Sequence, residues 1–342
     1  MKIIITFAMS HTWLWPQTCL TQLKKFNPGV EDCQIIVVDN AWDWSPAARG
    51  LGLFDVTVVN NQRQSKWHGT ALDYIIDTFD ADYLFTMESD VMVLRDGWLK
   101  WYLDKIQGVS EEGEAACYAV GHWHGEAFIN PSATLYDMNV LKQAQAAFRA
   151  NKDPMMYWGE DFQKSESIIP HYDKFLEDVG AFSEKRGFPP GTKMKCGNPT
   201  GQLRGPGWYE PAQQLHHWAV ENGYGFIVAN TIHEIDSERQ IPIGTFYTDS
   251  TIEEANTVHL WGGTRALDIL KHPVSDPTVL NNFEYWLERE ARYWKMVVDP
   301  KIQAETIELI KKHGWYNRDM TEREAQAVRQ IHAAYAKGGV SI

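Results

Sequence analysis

The chain has 342 residues, of which 44% are hydrophobic, enough for one large α/β domain with additions or for two domains. Its 32 basic and 45 acidic residues give a net charge of −13 at pH 7, which argues against free nucleic acid as the default partner. No apolar stretch reaches the length of a membrane span, and the four cysteines are scattered, so we expect a cytoplasmic protein with reduced thiols.

The first half of the sequence alternates between predicted strands and predicted helices. Helices are expected from Pro16 and from about Gly69, each with apolar residues on one face. This alternation predicts an α/β fold with a mostly parallel sheet flanked by helices. The four apolar runs that predict its buried strands are Ile3–Phe7, Gln34–Val38, Val56–Val59 and Tyr83–Met87.

The second half is less regular. Two strands are expected around residues 116–120 and 133–136, then a helix from Asn139 to about Arg149. A helix over Pro211–Glu221 and a strand over Phe226–Ala229 follow. In the segment 266–342, aspartate–proline pairs are typical of helix starts, and we expect a wholly helical extension there.

Acidic residues lie at the carboxyl ends of two predicted strands, where open α/β sheets bind ligands. Asp39 follows the second strand, and Glu88-Ser89-Asp90 follows the fourth. Two acids separated by one residue suit Mg²⁺ or Mn²⁺ bound to a diphosphate, because such an ion takes few protein ligands. The sequence therefore predicts a metal site at Glu88 and Asp90, and a solvated turn is the alternative.

These motifs resemble those of the GT-A glycosyltransferases, in particular the family 2-like group, over the span from Lys2 to about Arg265. The opening strand, the second strand ending in Val37-Val38-Asp39-Asn40 and the helix near Gly69 match. The family's DXD-like acidic metal motif corresponds to Glu88-Ser89-Asp90. Aspartate is commoner than glutamate at the first position, which leaves Asp90 as the firmer ligand and Glu88 as a ribose or water-mediated contact.

The resemblance implies transfer of a sugar from a nucleotide-diphosphate sugar, with UDP as the expected nucleotide, to a hydroxyl acceptor. It also implies dependence on Mn²⁺ or Mg²⁺ and inversion at the sugar. A GT-A (Rossmann-like) catalytic domain would span residues 1–265, with the nucleotide-sugar half to about residue 120. The acceptor half would be 121–265 with an insert at 151–209, and residues 266–342 would be the helical extension.

Further donor contacts follow from the same resemblance. Asp39 would contact the base or ribose, Thr6 would border the base, and Ser89 would be a further donor contact. The loop before the Gly69 helix would hold the phosphates through Arg63 and Lys66, with an ordinary polar loop as the alternative.

The segment Thr257–Arg265 resembles the one that closes over the diphosphate. It offers His259 as a metal ligand and Arg265 for the phosphates, while His233 is the alternative histidine. For the catalytic base, Glu210 opens a predicted helix and Asp161 matches the family's paired acids. Helix capping is the alternative role for either acid.

A basic segment and several other activities complete the set of hypotheses. Residues 185–209 carry five basic residues and no acid, which favours contact with an anionic acceptor or with the donor, or a plain solvated loop. A glycosyltransferase acting on a modified base in DNA, a nucleotidyltransferase and a non-catalytic carbohydrate-binding protein stay open. The 15 tryptophans suit sugar binding or simple core packing.

Overall fold

The computed structural model describes most of the chain. The residues it describes are 1–9, 14–40, 50–61, 68–111, 116–124, 128–144, 148, 212–237, 241–260, 277–313 and 322–342. Five residues proposed for the site lie outside these ranges, together with the basic segment 185–209. They are Arg63, Lys66, Asp161, Glu210 and Arg265.

The described ranges fold into two β-sheets and a set of helices. The strands are β1 (Ile3–Met9), β2 (Cys33–Asp39), β3 (Thr57–Asn60), β4 (Tyr83–Met87), β5 (Val91–Val93), β6 (Cys117–His124), β7 (Phe128–Asp137), β8 (Gly225–Val228), β9 (Thr231–Asp236), β10 (Ile241–Tyr247) and β11 (Thr257–His259). The helices are α1 (Trp15–Lys25), α2 (His68–Thr78), α3 (Trp98–Glu111), α4 (Met138–Gln143), α5 (Gln213–Glu221), α6 (Pro277–Val297), α7 (Pro300–His313) and α8 (Glu322–Lys337).

The larger sheet has seven strands in the order β3-β2-β1-β4-β7-β6-β8. Its pairs β2–β3, β1–β2, β1–β4 and β6–β8 are parallel, while β7 is antiparallel to both of its neighbours. The predicted mostly parallel sheet flanked by helices is confirmed. The four strands expected in the first half of the chain all belong to it.

The central strands β1 and β4 are buried on both faces, which explains why they are continuous apolar runs. On β1, Ile3, Ile5 and Phe7 pack into one hydrophobic cluster, while Ile4 packs into the cluster on the opposite face. Successive side chains on a strand point to opposite faces, so each face receives alternate residues. The parallel strands at the centre of the sheet therefore lie between two hydrophobic clusters, one on each face.

A second sheet of four antiparallel strands, in the order β5-β11-β10-β9, was not predicted. Its strands are short or mixed in polarity, so no apolar run marks them, and the pairing of β5 with β11 joins distant parts of the chain. The helix expected from Asn139 to about Arg149 has different bounds in the structure. It starts at Met138 with Asp137 as its N-cap and ends at Gln143.

The helices after residue 276 pack against the N-terminal part of the chain. The buried carboxylate of Glu290 on α6 accepts hydrogen bonds from the backbone N–H groups of Leu14 and Trp15, at 2.9 and 3.0 Å. The hydroxyl of Tyr335 on α8 donates to the other oxygen of Glu290 at 2.9 Å. Helix α1 is thus capped from a helix near the other end of the sequence, because its own N-cap Leu14 offers no acceptor.

Helix α6 also reaches the second sheet. The buried guanidinium of Arg289 donates from Nη1 to the carbonyl of Leu260 at 2.7 Å, and from Nη2 to the carbonyl of Ile243. The ring of Tyr293 lies under the same guanidinium, with 5.5 Å from its Cζ to the ring centroid. Among the described helices, none combines the length and the apolarity that a bilayer span requires.

Candidate metal centre at the sheet edge

Two sheets meet at the residues predicted for the metal. Glu88 directly follows β4, and its N–H donates to the carbonyl of Ser132 on β7 at 2.9 Å. A tight turn leads to Asp90 and into β5, which pairs with β11 so that His259 lies opposite Val91. The N–H of Leu260 donates to the carbonyl of Asp90 at 3.0 Å, which fixes the end of β11 against this turn.

Glu88, Asp90 and His259 form one cluster of candidate ligands. Nε2 of His259 lies 3.1 Å from Oε2 of Glu88 and 3.4 Å from Oδ1 of Asp90. One ligand atom from each of the three residues lies within 4.8 Å of the others. The side chain of Asp90 is 2% exposed, that of His259 is 14% exposed and that of Glu88 is 36% exposed. Asp90 is therefore the inner ligand of the cluster, and Glu88 lies at its solvent side.

The three side chains shift one another's protonation. Burial by itself lowers the pKa of the His259 imidazole, but the carboxylates of Asp90 and Glu88 outweigh it and raise that pKa to about 10. Burial acts to raise the pKa of the Glu88 carboxyl, yet the charge and hydrogen bond of His259 bring it below its ordinary value. Two carboxylates and one imidazole, open on one side, form a donor set that fits Mn²⁺ or Mg²⁺.

We expect Mn²⁺ binding by this cluster to strengthen as the pH rises. A raised pKa keeps His259 protonated at neutral pH, and the imidazole must lose that proton to bind a metal. The Mn²⁺ dissociation constant should fall by up to about tenfold per pH unit between about pH 6 and about pH 8, as one proton leaves for each ion bound. Calorimetry in buffers of different ionisation enthalpy measures both the constant and the released proton.

His259→Ala should remove the proton release and weaken binding, whereas His233→Ala should keep both. An affinity for Mn²⁺ that does not change with pH would rule out His259 as a ligand.

The carboxyl ends of β1, β2 and β3 form a second polar group on the same sheet edge. Asp39 is fully buried opposite Met9, and its carbonyl accepts a hydrogen bond from the N–H of Asn61 at 3.0 Å. The side-chain amide of Asn61 donates to Oδ1 of Asn40 at 2.7 Å. Thr6 lies further back, because β1 continues to Met9, and its hydroxyl donates to the carbonyl of Ile36 at 2.8 Å. Met9, and not Thr6, is the β1 residue beside Asp39 at this edge.

The start of helix α2 lies beside the metal cluster. Gly69 is buried in its first turn, and His68 precedes it. The charge of His68 contributes to the lowered pKa of Glu88, so this imidazole is close to the carboxylates. The sequence motifs identified Gly69 as a site residue. They did not identify His68, which lies one residue earlier at the start of the same helix.

The structure separates the two candidate histidines. His259 joins the acids, while His233 lies on β9, exposed, with Nδ1 3.0 Å from Oγ1 of Thr245. Thr245 is paired with His233 on one side and with His259 on the other. The two histidines therefore lie in one row across three strands, about 10 Å apart at ordinary strand spacing.

Several polar residues near the cluster were missed from the sequence. Asn61 follows β3, so the same strand-end rule that selected Asp39 could have found it. His122 and Tyr247 gave no such signal, because they meet through a ring contact between the two sheets, which no local sequence pattern shows. Ser89, which was predicted as a donor contact, is buried between the two acids.

No family model matches this sequence, and no curated protein matches it. The chain is similar to several solved structures. TarS from S. aureus matches at 12% identity and a TM-score of 0.38, over 98% of this chain and 53% of TarS. Glucosyl-3-phosphoglycerate synthase from Mycobacterium tuberculosis, in complex with Mn²⁺, UDP-glucose and phosphoglyceric acid, matches at 10% identity and a TM-score of 0.34, over 63% of this chain and 90% of the enzyme.

The glycosyltransferase GlyE from Streptococcus pneumoniae TIGR4 matches at 11% identity and a TM-score of 0.32, over 66% of this chain and 45% of GlyE. The chain thus spans about half the length of TarS and of GlyE. Because each of these TM-scores is below 0.5, none of these structures assigns a role to a residue of this chain.

Proposed function

We propose that this chain is a metal-dependent glycosyltransferase of the GT-A type. It would move a sugar from a nucleotide-diphosphate sugar, with UDP as the expected nucleotide, to a hydroxyl acceptor with inversion. The observation that carries this proposal is the cluster of Glu88, Asp90 and His259 at the carboxyl edge of a mostly parallel sheet. That edge is where open α/β sheets bind nucleotides, and the cluster offers the donor set of an ion that binds diphosphates.

The proposed roles follow from the burial of each ligand. Asp90 and His259, held by adjoining strands, would grip the ion, and the more exposed Glu88 would complete the set directly or through water. A bound divalent ion neutralises the charge that develops on the diphosphate as it leaves. The charge of His68, at the start of α2, acts on Glu88, and a helix N-terminus favours an anion.

The remaining donor contacts stay proposals. Asp39 would contact the base or ribose, at a strand end shared with Asn40 and Asn61. For three further residues, we propose contacts with the phosphates from the sequence resemblance alone. They are Arg63, Lys66 and Arg265. The division into a catalytic domain to residue 265 and a helical extension from residue 266 is likewise a proposal.

The catalytic base is proposed among two acids, Glu210 and Asp161. Inverting transfer needs a carboxylate that takes the acceptor's proton as its oxygen attacks the sugar. We favour Glu210, because α5 begins shortly after it and Gly223, at φ 80°, ends that helix before β8. We expect Glu210→Gln to lower kcat by at least about a hundredfold while donor binding stays near normal. Steady-state rates with calorimetric donor affinities provide the measurement.

The parallel variant Asp161→Asn serves as the comparison. If Glu210→Gln keeps its rate and Asp161→Asn loses it, the role passes to Asp161.

The proposed function is tested by a thermal-shift panel of nucleoside diphosphates and nucleotide sugars, each with and without Mn²⁺. A ligand that binds the native state raises the melting temperature by mass action. We expect one nucleotide series to raise it, and to do so more strongly with Mn²⁺. No response to any nucleotide sugar, in either condition, would contradict the proposed activity.

A further inference from the structure

A group of five polar side chains lies beside the metal cluster, outside the contacts assigned above. We call it the histidine subsite. Its members come from both sheets and carry imidazole or hydroxyl groups. They are His122 on β6, Ser132 on β7, His233 on β9, and Thr245 and Tyr247 on β10.

The members of the histidine subsite are held by contacts among themselves. The rings of His122 and His233 have centroids 6.4 Å apart at 74°, and His122 meets the ring of Tyr247 edge-on at 5.7 Å. The hydroxyls of Tyr247 and Ser132 are 3.0 Å apart. Since Nδ1 of His233 contacts the Thr245 hydroxyl, Nε2 is the ring nitrogen of His233 that a ligand can reach.

A β-bulge orients His122 toward this group. The register of β6 against β7 shifts between Val120 and His122, with Gly121 at the irregular position. A Cβ built on Gly121 would lie 2.0 Å from Oγ1 of Thr134, so only glycine fits there. Bulges of this kind redirect side chains and are common next to functional sites.

The histidine subsite is adjacent to the proposed metal centre. The N–H of Glu88 bonds to the carbonyl of Ser132, so one residue supports both places. Burial raises the pKa of the Tyr247 hydroxyl, and Tyr102, Glu88 and Asp90 add to the rise, so the ligand carboxylates lie close to it. His259, Thr245 and His233 are directly paired across three strands, so their side chains share one face of the second sheet.

We propose that the histidine subsite binds the acceptor, and that it recognises a neutral, hydroxyl-rich group such as a sugar ring. This inference rests on the proposed function. Ser132, Thr245 and Tyr247 are buried and position the group, so the imidazoles of His122 and His233 are the side chains that a ligand would meet. Both imidazoles can donate and accept hydrogen bonds, which matches hydroxyls better than a phosphate, whose usual partners are Arg and Lys. The carboxylates of Glu88 and Asp90, and the donor's diphosphate, place negative charge nearby and disfavour an anion.

The test is a titration of the full chain, labelled with ¹³C at histidine Cε1, without Mn²⁺ or nucleotide. The probes are methyl α-glucoside and, separately, inorganic phosphate. The signals of His122 and His233, assigned through His122→Gln and His233→Gln, should shift saturably with the glycoside, with a dissociation constant of about 10 mM. The signal of His332, on α8, should stay in place, and phosphate should leave the His122 and His233 signals unchanged.

A matched control uses the neighbouring residue on β9. Glu234 points to the opposite face of the strand, so Glu234→Gln should keep the glycoside response that His233→Gln loses. No response to the glycoside, a stronger response to phosphate, or equal loss in both variants overturns the inference. Because Mn²⁺ and nucleotide are absent, a failed titration beside a normal Mn²⁺-dependent thermal shift refutes the histidine subsite alone.

Discussion

Asp90→Asn is expected to abolish the Mn²⁺-dependent part of donor binding and to lower the rate of sugar transfer by about a thousandfold. The loss corresponds to the several kcal/mol that a bound metal contributes to neutralising a leaving diphosphate. Asp90 is the inner and least exposed ligand of the cluster, and its backbone also holds Leu260. The side-chain change keeps that backbone bond, so the fold should survive, and circular dichroism should be unchanged.

The matched control for this variant is Asp104→Asn. Asp104 lies exposed on α3, paired with Lys100 one turn earlier. Its substitution also removes one carboxylate, but at a position away from the cluster. Asp104→Asn should keep the thermal shift with Mn²⁺ and nucleotide. An Asp90→Asn protein that binds metal and nucleotide as tightly as the unchanged chain would show that the metal site is assigned incorrectly.

Glu290→Ala is expected to lower the free energy of unfolding by about 3 kcal/mol, because three hydrogen bonds to a buried carboxylate are lost together. Two of them cap α1, whose next residue, Pro16, has no N–H of its own. The third is the bond from Tyr335. Alanine leaves the two amides of α1 buried without an acceptor. Urea denaturation with a matched m-value gives the change directly.

Two milder variants distinguish the loss of the capping hydrogen bonds from the loss of side-chain packing at Glu290. In Glu290→Gln the amide oxygen can still accept from Leu14 and Trp15, and its NH₂ can donate to Tyr335, so we expect a much smaller loss. Tyr335→Phe removes one bond and should cost about 1 kcal/mol. Equal destabilisation by Glu290→Gln and Glu290→Ala would contradict the capping role.

The first half of the fold was predictable because its signals are local. Ile3–Met9 and Tyr83–Met87 are buried on both faces, so apolarity alone marks them as strands. The strand-end rule then placed Asp39 and Glu88-Ser89-Asp90 on one edge, and the structure shows them there. The second sheet could not be predicted in this way, because β5 and β11 have three residues each and gain their stability from partners far along the chain.

The residues of the candidate site show the same difference between local signals and contacts made only in the fold. Glu88 and Asp90 are two residues apart and were selected from the sequence, and His259 was selected through the family resemblance. The structure brings the three together by the pairing of β5 with β11. His122 and Tyr247 escaped notice because they meet through a bulge and a contact between two sheets.

The cap on α1 also has a consequence for how the protein is made. The bonded pairs Leu14–Glu290 and Trp15–Glu290 are 276 and 275 residues apart in sequence. A growing chain on the ribosome exposes β1 and α1 long before α6 and α8 have been synthesised. Contacts at such separation close late and slow the final folding step. The apolar face of α1 should therefore stay accessible to a chaperone until α6 and α8 have been synthesised.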